Sequence, residues 1–355
     1  MISDSNNKKL HFIIGIGRSG TTILSKLLNE YHDVHCVPEA IFLIFFLKKF
    51  RDKKFYSPND INHIFTQIDL YSHTHPWVGW KFDICEVKKN VIYIVEKNKK
   101  ITYKELMIII YQHFVVEGID KTEAKIILDK NPSHTIFMDN ISDFSPESKF
   151  IWIIRDYRAT ILSSKQSVFI RPSNIAYNAT RWKLYNKIAY NFYKKNKNKV
   201  IIVKYEDLVT KENEIDRILN FLSIEPIKDI IIPPIEIDLA NFKMNDPHKE
   251  RFLKKYNDLN KILNTGRLFS WKDQLTAKEI EVCDVICSSI GYKIGYDSIT
   301  NISLFKKLRI LTLNIVPIFI GYFDIFKDKL LYYISPSIKI KRLRKKYIEL
   351  GFIKK

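Results

Sequence analysis

Apolar and polar positions along this chain fall into short blocks that predict strands and helices in turn. Compact apolar runs, which are typical of buried strands, occur at 10–16, 34–37, 124–129, 149–155 and 200–206. Helical periodicity, with apolar residues three and four apart, occurs at 21–31, 102–116, 173–196, 213–222 and 276–290. Strands that alternate with helices favour a parallel sheet covered on both faces. We therefore expect a three-layer α/β fold.

The first predicted strand runs into a loop that suits an anion. The apolar residues that end at Ile14 are followed by Gly15-Ile16-Gly17-Arg18-Ser19-Gly20-Thr21-Thr22, and a helical pattern begins there. Glycines let backbone N–H groups approach an anion, and a helix N-terminus adds free donors and partial positive charge. Arg18 adds a fixed cation and the threonines add hydroxyl donors. The loop therefore predicts a phosphate-binding site, with a tight turn that merely carries hydroxyls as the alternative.

The loop differs from that of nucleotide triphosphatases, where a lysine directly precedes the Ser or Thr. Here Gly20 precedes Thr21. The string Arg18-Ser19-Gly20-Thr21-Thr22 instead resembles the 5′-phosphosulfate loop of sulfotransferases that use 3′-phosphoadenosine 5′-phosphosulfate (PAPS), and is closest to the tyrosylprotein and bacterial type. The resemblance implies a P-loop-like sulfotransferase fold, PAPS as co-substrate without a metal, and donor contacts from Arg18, Ser19, Gly20, Thr21 and Thr22.

A second motif follows the strand predicted at 149–155. Arg155 stands where that strand ends, and the carboxyl ends of parallel strands face the crevice in which such sheets bind ligands. In the family, an arginine and a serine eight residues later hold the 3′-phosphate, which implies this role for Arg155 and Ser163. The alternative is a buried Arg155 that pairs with Asp156. Arg158 is expected to be a solvated or structural residue at a helix start.

Three further segments resemble the family in their order, so that the resemblance spans about residues 8 to 298. Tyr205-Glu206-Asp207-Leu208 implies that Tyr205 lies beside the nucleotide; a half-buried structural ring with a solvated hydroxyl is the alternative. Asp129-Lys130-Asn131-Pro132 implies that Lys130 approaches the sulfuryl group. Thr265-Gly266-Arg267 implies a loop that closes over the nucleotide, with Gly266 and Arg267 at the donor site.

Sulfuryl transfer also needs a base that removes a proton from the acceptor hydroxyl. In tyrosylprotein and some bacterial sulfotransferases, a glutamate stands as far from the loop as Glu39 does here, so Glu39 is expected to be the base, with Lys130 and Arg18 stabilising charge. Cytosolic members use a histidine just after the lysine; here His134 is displaced and is the second candidate. A carboxylate that only stabilises a helix N-terminus is the alternative for Glu39.

The formal net charge of +19 suits a multiply charged anionic donor. It leaves open a basic nucleic-acid-binding protein, although no recognised binding motif is present and no nucleic acid is expected. A kinase-like P-loop phosphotransferase is the other alternative. The acceptor is expected to be a hydroxyl on a glycan, a lipid-linked molecule or a small-molecule alcohol. Segment 41–123, with Trp77, Trp80 and Phe82, is expected to shape its pocket.

The resemblance ends near residue 300, which predicts a sulfotransferase domain over 1–300 and a basic amphipathic extension over 301–355. That extension holds ten lysines, three arginines and three acidic residues, a net charge of +10. An apolar stretch from Ile310 to Phe323 beside the basic cluster from Lys339 to Lys346 predicts peripheral contact with an anionic membrane surface. The alternative is that the apolar stretch packs on the domain and the cluster is a solvated helix face.

Neither a secretory leader nor a membrane span is apparent, so a cytoplasmic protein is expected, with contact at the inner membrane face. The four cysteines predict no disulfide framework: Cys283 and Cys287 share one helix face, and Cys36 and Cys85 are expected to be small apolar residues. No Cys or His spacing matches a metal site, including His73 and His75. The oligomeric state is not indicated.

Overall fold

The computed structural model contains one parallel five-stranded sheet. It describes residues 8–37, 39, 42–72, 83–98, 100–114, 121–167, 173–227, 266 and 268–349. The strands are β1 (Lys9–Ile14), β2 (Val34–Val37), β3 (Ile126–Lys130), β4 (Phe150–Ile154) and β5 (Val200–Lys204). Their order across the sheet is β2-β3-β1-β4-β5, and every neighbouring pair is parallel. The predicted α/β class is confirmed.

The helices connect and cover these strands. Up to the fifth strand they are α1 (Thr21–Asn29), α2 (Phe42–Phe50), α3 (Pro58–Ser72), α4 (Ile84–Asn98), α5 (Tyr103–Gln112), α6 (Met138–Phe144), α7 (Tyr157–Lys165) and α8 (Ile175–Lys195). After it come α9 (Tyr205–Thr210), α10 (Glu214–Leu222), α11 (Trp271–Gln274), α12 (Ala277–Gly291), α13 (Leu304–Leu313), α14 (Ile315–Leu331) and α15 (Pro336–Glu349). A short 3₁₀ helix, Pro132–Phe137, follows β3.

Side chains of successive strand residues point to opposite faces of the sheet and form two separate cores. Phe12 and Trp152 point to one face, where they join Phe192 of α8. Ile13 and Ile151 point to the other face and join Leu28 of α1. Because both faces of the sheet are apolar, both must be covered by helices, which gives the three layers.

Predicted and observed element boundaries differ where glycine or a helix start intervenes. The strand predicted at 10–16 ends at Ile14, because the backbone turns at Gly15, which has φ +147°. Only glycine fits there, since a Cβ would lie 2.5 Å from the carbonyl oxygen of Ile153. The strand predicted at 200–206 ends at Lys204, since Tyr205 begins α9. The helix predicted at 102–116 begins after the capping residue Thr102 and ends at Gln112.

The C-terminal helices share the core of the preceding residues. The buried cluster that contains Phe12 and Trp152 also includes Ile325 of α14, Ile340 of α15, and Tyr332 between these two helices. The division into two domains at residue 300 stays a prediction. Within the described part of the chain, no single helix is long and apolar enough to cross a membrane, but α13 taken with Ile315–Leu330, bent by 67° between them, reaches that length and composition.

All four cysteines are free thiols. Cys36, Cys283 and Cys287 are buried, as expected for small apolar residues, and burial raises the pKa of each of these thiols. The expectation for Cys85 is wrong: it is exposed near the start of α4, where its backbone N–H donates to the side chain of the capping residue Asp83.

Candidate active site

The sheet topology brings most of the predicted site residues to one edge. All five strands are parallel, so their carboxyl ends meet there, and the register pairs Val37 with Asp129 and Ile13 with Lys130. The anion loop follows β1, Lys130 ends β3, and Arg155 directly follows β4. Glu39 lies two residues beyond β2, and Tyr205 follows β5 directly. This edge is where open α/β sheets bind ligands.

The loop after β1 is tightly bent. Arg18 has φ +77° and Gly20 has φ +102°, and Gly20 caps α1, which begins at Thr21. A Cβ on Gly20 would lie 2.4 Å from Cδ2 of Tyr205, so only glycine lets the loop approach that ring. A Cβ on Gly17 would meet nothing within 4 Å, so the loop has one open side.

The side chains of the loop point to different places. Arg18 Nε donates to Ser163 Oγ over 3.0 Å, which joins the first motif to the second across 145 residues. Ser19 is fully buried, and its hydroxyl has no hydrogen-bond partner among the described residues. Thr21 is buried and Thr22 is half-buried. A buried hydroxyl without a partner is costly unless a ligand or water supplies one.

Arg155 and Tyr205 form a stacked pair beside the loop. The guanidinium of Arg155 lies 4.3 Å from the centre of the Tyr205 ring, which is close enough for a favourable cation–π interaction. Trp182 of α8 donates its indole N–H to the carbonyl oxygen of Arg155 over 3.2 Å and fixes this turn. Tyr205 is 3% exposed, so its ring is buried rather than half-buried, and both its place beside the nucleotide and the structural alternative stay predictions.

The partner that sequence analysis offered for Arg155 is also wrong. The carboxylate of Asp156 caps α7 and binds the guanidinium of Arg158, with Arg158 Nη2 2.7 Å from Oδ2. Burial opposes the charge of Arg158, but the hydrogen bonds and charge of Asp156 raise its pKa above the ordinary value. Arg158 also lies 4.3 Å from the Trp271 ring. It is therefore a structural residue, and it is buried rather than solvated.

Glu39 and Lys130 meet on the other side of the loop. Lys130 Nζ lies 3.4 Å from Glu39 Oε2, and the Lys130 side chain is 7% exposed while that of Glu39 is 22% exposed. Lys130 ends β3 and Glu39 lies two residues beyond the neighbouring strand β2, so the pairing of these strands brings the two residues together. The carboxylate therefore stays open to a ligand while the lysine holds its position.

His134 occupies a closed environment in the 3₁₀ helix. It is fully buried, and its Nε2 lies 3.0 Å from Asp129 Oδ2. The same carboxylate oxygen accepts a hydrogen bond from the hydroxyl of Tyr111, 2.8 Å away. The rings of His134 and Phe12 form a T-shaped contact in the core.

The last predicted segment is described only in part. Gly266 is exposed, and Arg267 lies outside the described residues, as do Thr265, His73, His75, Trp77, Trp80 and Phe82. Leu268 packs with Tyr205 and Val209, so the chain returns to the Tyr205 side of the loop just after Gly266. Among the described residues, no group of three or more His, Cys, Asp or Glu side chains could hold a metal ion.

A sequence profile described as the sulfotransferase family matches residues 11–229, more than half of the chain. The chain belongs to the sulfotransferase family. This sulfotransferase is 26% identical over 302 residues to a Caenorhabditis briggsae protein named "Putative protein-tyrosine sulfotransferase", covering 83% of this chain and 91% of that protein.

Solved structures similar to this sulfotransferase include two bacterial proteins. The sulfotransferase domain of the Synechococcus PCC 7002 olefin synthase is 18% identical, with 80% of this chain and 96% of that one covered at a TM-score of 0.44. The sulfotransferase STF9 from Mycobacterium avium is 12% identical, with 82% and 78% covered at a TM-score of 0.40.

Three positioning residues of this sulfotransferase escaped sequence analysis. Thr135 Oγ1 accepts from the N–H of Gly15 over 2.9 Å and fixes the start of the loop. Glu206 Oε1 accepts from the N–H of Asp156 over 3.0 Å, and Trp182 holds Arg155 as described above. Trp182 carries a signal only as one apolar residue of a long helix, and Glu206 only as a member of the segment Tyr205-Glu206-Asp207-Leu208. Thr135 carries none. The partners of all three are distant in sequence.

Proposed function

We propose that this sulfotransferase moves the sulfuryl group of PAPS to an acceptor hydroxyl, with Glu39 as the general base. The observation that carries the proposal is the meeting of the anion loop, Lys130, Arg155 and Glu39 at the carboxyl edge of one sheet. Three cations there suit a donor that carries several negative charges, and the partly exposed carboxylate suits an uncharged hydroxyl.

The residues of the loop fit the donor. The open side of Gly17 leaves room for a phosphate-sized group, the buried Ser19 hydroxyl offers a hydrogen bond, and α1 points its N-terminus at the loop. Arg18, Ser19, Gly20, Thr21 and Thr22 would hold the 5′-phosphosulfate. PAPS supplies the activated sulfuryl group and the leaving phosphate.

Arg155 and Ser163 would hold the 3′-phosphate, and Tyr205 would lie beside the nucleotide. The contact of Arg18 with Ser163 supports this placement, since the guanidinium of a residue in the 5′-phosphosulfate loop reaches the serine proposed for the 3′-phosphate. The two phosphate sites therefore lie side by side. Gly266 and Arg267 would close over the nucleotide; the return of the chain toward Tyr205 at Leu268 supports this for Gly266.

In the chemical step, Glu39 accepts the proton of the acceptor hydroxyl as that oxygen attacks sulfur and the bond from sulfur to the 5′-phosphate oxygen breaks. Lys130 and Arg18 stabilise negative charge on the sulfuryl oxygens and the leaving phosphate. Lys130 also positions Glu39, since its ammonium lies 3.4 Å from the carboxylate. Glu39 is favoured over His134 because it is partly exposed, whereas His134 is fully buried beside Asp129. A base must reach the proton that it removes.

The acceptor is a hydroxyl of one of two classes. The name of the C. briggsae relative, which this chain covers over most of its length, supports a protein tyrosine. An alcohol of a glycan, lipid-linked molecule or small metabolite is the second class. The protein is incubated with labelled PAPS and a tyrosine-containing acidic peptide, and in a separate reaction with labelled PAPS and a cell extract. The bond that carries the label in the products distinguishes the two acceptor classes.

The donor and base are tested together. PAPS and 3′-phosphoadenosine 5′-phosphate should bind in isothermal titration with EDTA present. Glu39→Gln should keep donor affinity near that of the parent protein and lower turnover by about 10²–10⁴-fold. His134→Ala should lower turnover much less than Glu39→Gln does. The thermal stability of His134→Ala is measured as well, so that a loss of turnover through unfolding is recognised.

Two results would overturn the assignment. Turnover of ATP with magnesium, together with no binding of PAPS, would favour the kinase-like alternative. A larger loss of turnover in His134→Ala than in Glu39→Gln, at equal stability of the two variants, would move the base to the histidine.

A further inference from the structure

Helices α13 and α14 expose an unusual amount of apolar surface. Fifteen of the 21 large apolar side chains that are exposed among the described residues lie between Leu304 and Ile338. The members most relevant here, which we name the C-terminal apolar surface, are Leu304, Phe305, Leu308, Phe319, Phe323 and Phe326, each between 52% and 80% exposed. Contiguous exposed apolar patches commonly mark contact with a membrane or another protein.

The side of helix α13 that carries Lys306 faces the protein. Lys306 donates to Glu281 of α12, and no residue of α13 is buried. Leu304 and Leu308 lie four residues apart, so they share a helix face, and the 100° spacing of residues puts Lys306 on the opposite side. The leucine face is therefore directed away from α12, into solvent.

Helix α14 is apolar on both sides, since Ile325 packs in the protein core while the opposite side carries large exposed apolar residues. Gly321 packs closely on Thr180 of α8, and the Asp324 carboxylate accepts a hydrogen bond from the Tyr177 hydroxyl over 2.5 Å. Phe319 and Phe323 lie on the outward side. Surface helices of soluble proteins bury their apolar side and expose the polar one, so the apolar outer sides of α13 and α14 depart from the usual pattern.

The charge around this surface is positive. Residues 301–355 carry a net charge of +10. The acidic Asp324 is turned toward the protein and is neutralised by Lys327, 2.8 Å away. Lys307, Arg309 and Lys329 are exposed on the same two helices. The outer surface thus combines large apolar side chains with cations.

Part of the basic cluster predicted from sequence does not contribute. Lys339 is buried, donates to the carbonyl oxygen of Phe45 over 3.4 Å, and lies over the Phe45 ring. Burial lowers the pKa of Lys339 to about 8. Its neighbour Ile340 is fully buried. The start of α15 therefore anchors the C-terminal helices on α2, and the exposed cations of the cluster follow later in the same helix, at Lys341, Arg342, Arg344 and Lys345.

We propose that the C-terminal apolar surface docks into the interface of an anionic lipid bilayer. Each helix has one side fixed on the protein, so only its outer face enters the interface, as in helices that lie in the plane of a membrane. Exposed lysines and arginines attract anionic headgroups. A second copy of the chain is disfavoured as the partner, because a symmetric contact sets like patches, and so like charges, against each other.

The test is co-sedimentation of the full chain with vesicles of phosphatidylcholine containing phosphatidylglycerol at low salt. The protein should sediment with them and bind less to pure phosphatidylcholine. The double variant Phe319→Glu and Phe323→Glu should lower the partition coefficient at least about tenfold, because both rings lose their burial in lipid. The control is Phe55→Glu, since Phe55 is 62% exposed and Phe319 is 67% exposed.

Three outcomes would overturn the proposal: no binding of the full chain to anionic vesicles, equal binding by the double variant, or an equal loss in Phe55→Glu. Equal binding to neutral vesicles would overturn the role of the cations. If light scattering shows an oligomer that the double variant dissociates, while vesicles stay unbound, the surface joins copies of the chain. The assay contains no PAPS, so its failure leaves the proposed sulfotransferase activity untouched.

Discussion

Two glycines of the anion loop separate ligand binding from folding. Gly17 and Gly20 are three residues apart, but an added methyl group would have different surroundings at each. At Gly17 it would meet nothing within 4 Å, and at Gly20 it would lie 2.4 Å from Cδ2 and 3.0 Å from Cε2 of Tyr205. The variants Gly17→Ala and Gly20→Ala therefore test whether the open side of the loop holds the donor.

The magnitudes follow from those contacts. Gly20→Ala combines overpacking, about 1–3 kcal/mol, with a left-handed backbone, about 1–2 kcal/mol. It should thus lose about 2–5 kcal/mol of a total unfolding free energy of about 5–15 kcal/mol. Gly17 is outside the left-handed region, so alanine there should leave stability unchanged or raise it by about 0.4–1 kcal/mol.

Donor affinity should fall in Gly17→Ala, the variant that keeps its stability. If a phosphate of PAPS fills the open side of Gly17, the methyl group intrudes at a cost of about 1–3 kcal/mol, and Kd rises about 5- to 150-fold. The assay is urea unfolding of both variants, followed by titration calorimetry with PAPS on Gly17→Ala. Parent-like affinity in Gly17→Ala, or an equal loss of stability in both variants, would refute the loop assignment.

Two other predictions concern the second motif and the pH dependence of folding. Arg155→Ala should weaken PAPS binding about 10- to 150-fold, which corresponds to the loss of a charge-assisted hydrogen bond, and should weaken binding of the analogue without the 3′-phosphate much less. The matched control Arg158→Ala should lower stability without changing the preference for PAPS over this analogue. Equal losses of affinity for both donors in Arg155→Ala would contradict the role of Arg155 in binding the 3′-phosphate. Burial and the charge of Lys149 lower the pKa of His11 to about 4, so the unfolded chain takes up a proton below pH 6.5 that the folded one refuses. Unfolding free energy should fall by about 3 kcal/mol between pH 6.5 and pH 4, and His11→Gln should reduce this slope in denaturant titrations; an unchanged slope would show that His11 is not responsible.

The sequence alone determined the features that depend on local pattern. Apolar blocks of strand and helix length indicated the sheet and its helices, because burial on both faces needs continuous apolar runs. The string from Arg18 to Thr22 indicated the sulfotransferase family, which is confirmed. Both are encoded in neighbouring residues, so they need no knowledge of which elements touch. The roles of the individual site residues stay predictions.

The tertiary structure decided the pairings between distant residues. The alternative for Arg155, a pairing with Asp156, is wrong, because the folded chain gives that carboxylate to Arg158. It brings Glu39 to 3.4 Å from Lys130, although 91 residues separate them, because β2 and β3 are neighbours in the sheet.

The orientation of the C-terminal helices depends on the fold in the same way. Their composition is legible in the sequence, but which side of each helix meets the protein is not. That side is set by Tyr177 and Thr180 of α8 and by Glu281 of α12, residues that lie far back along the chain. Strand order and helix docking depend on such non-local contacts, which a linear pattern does not specify.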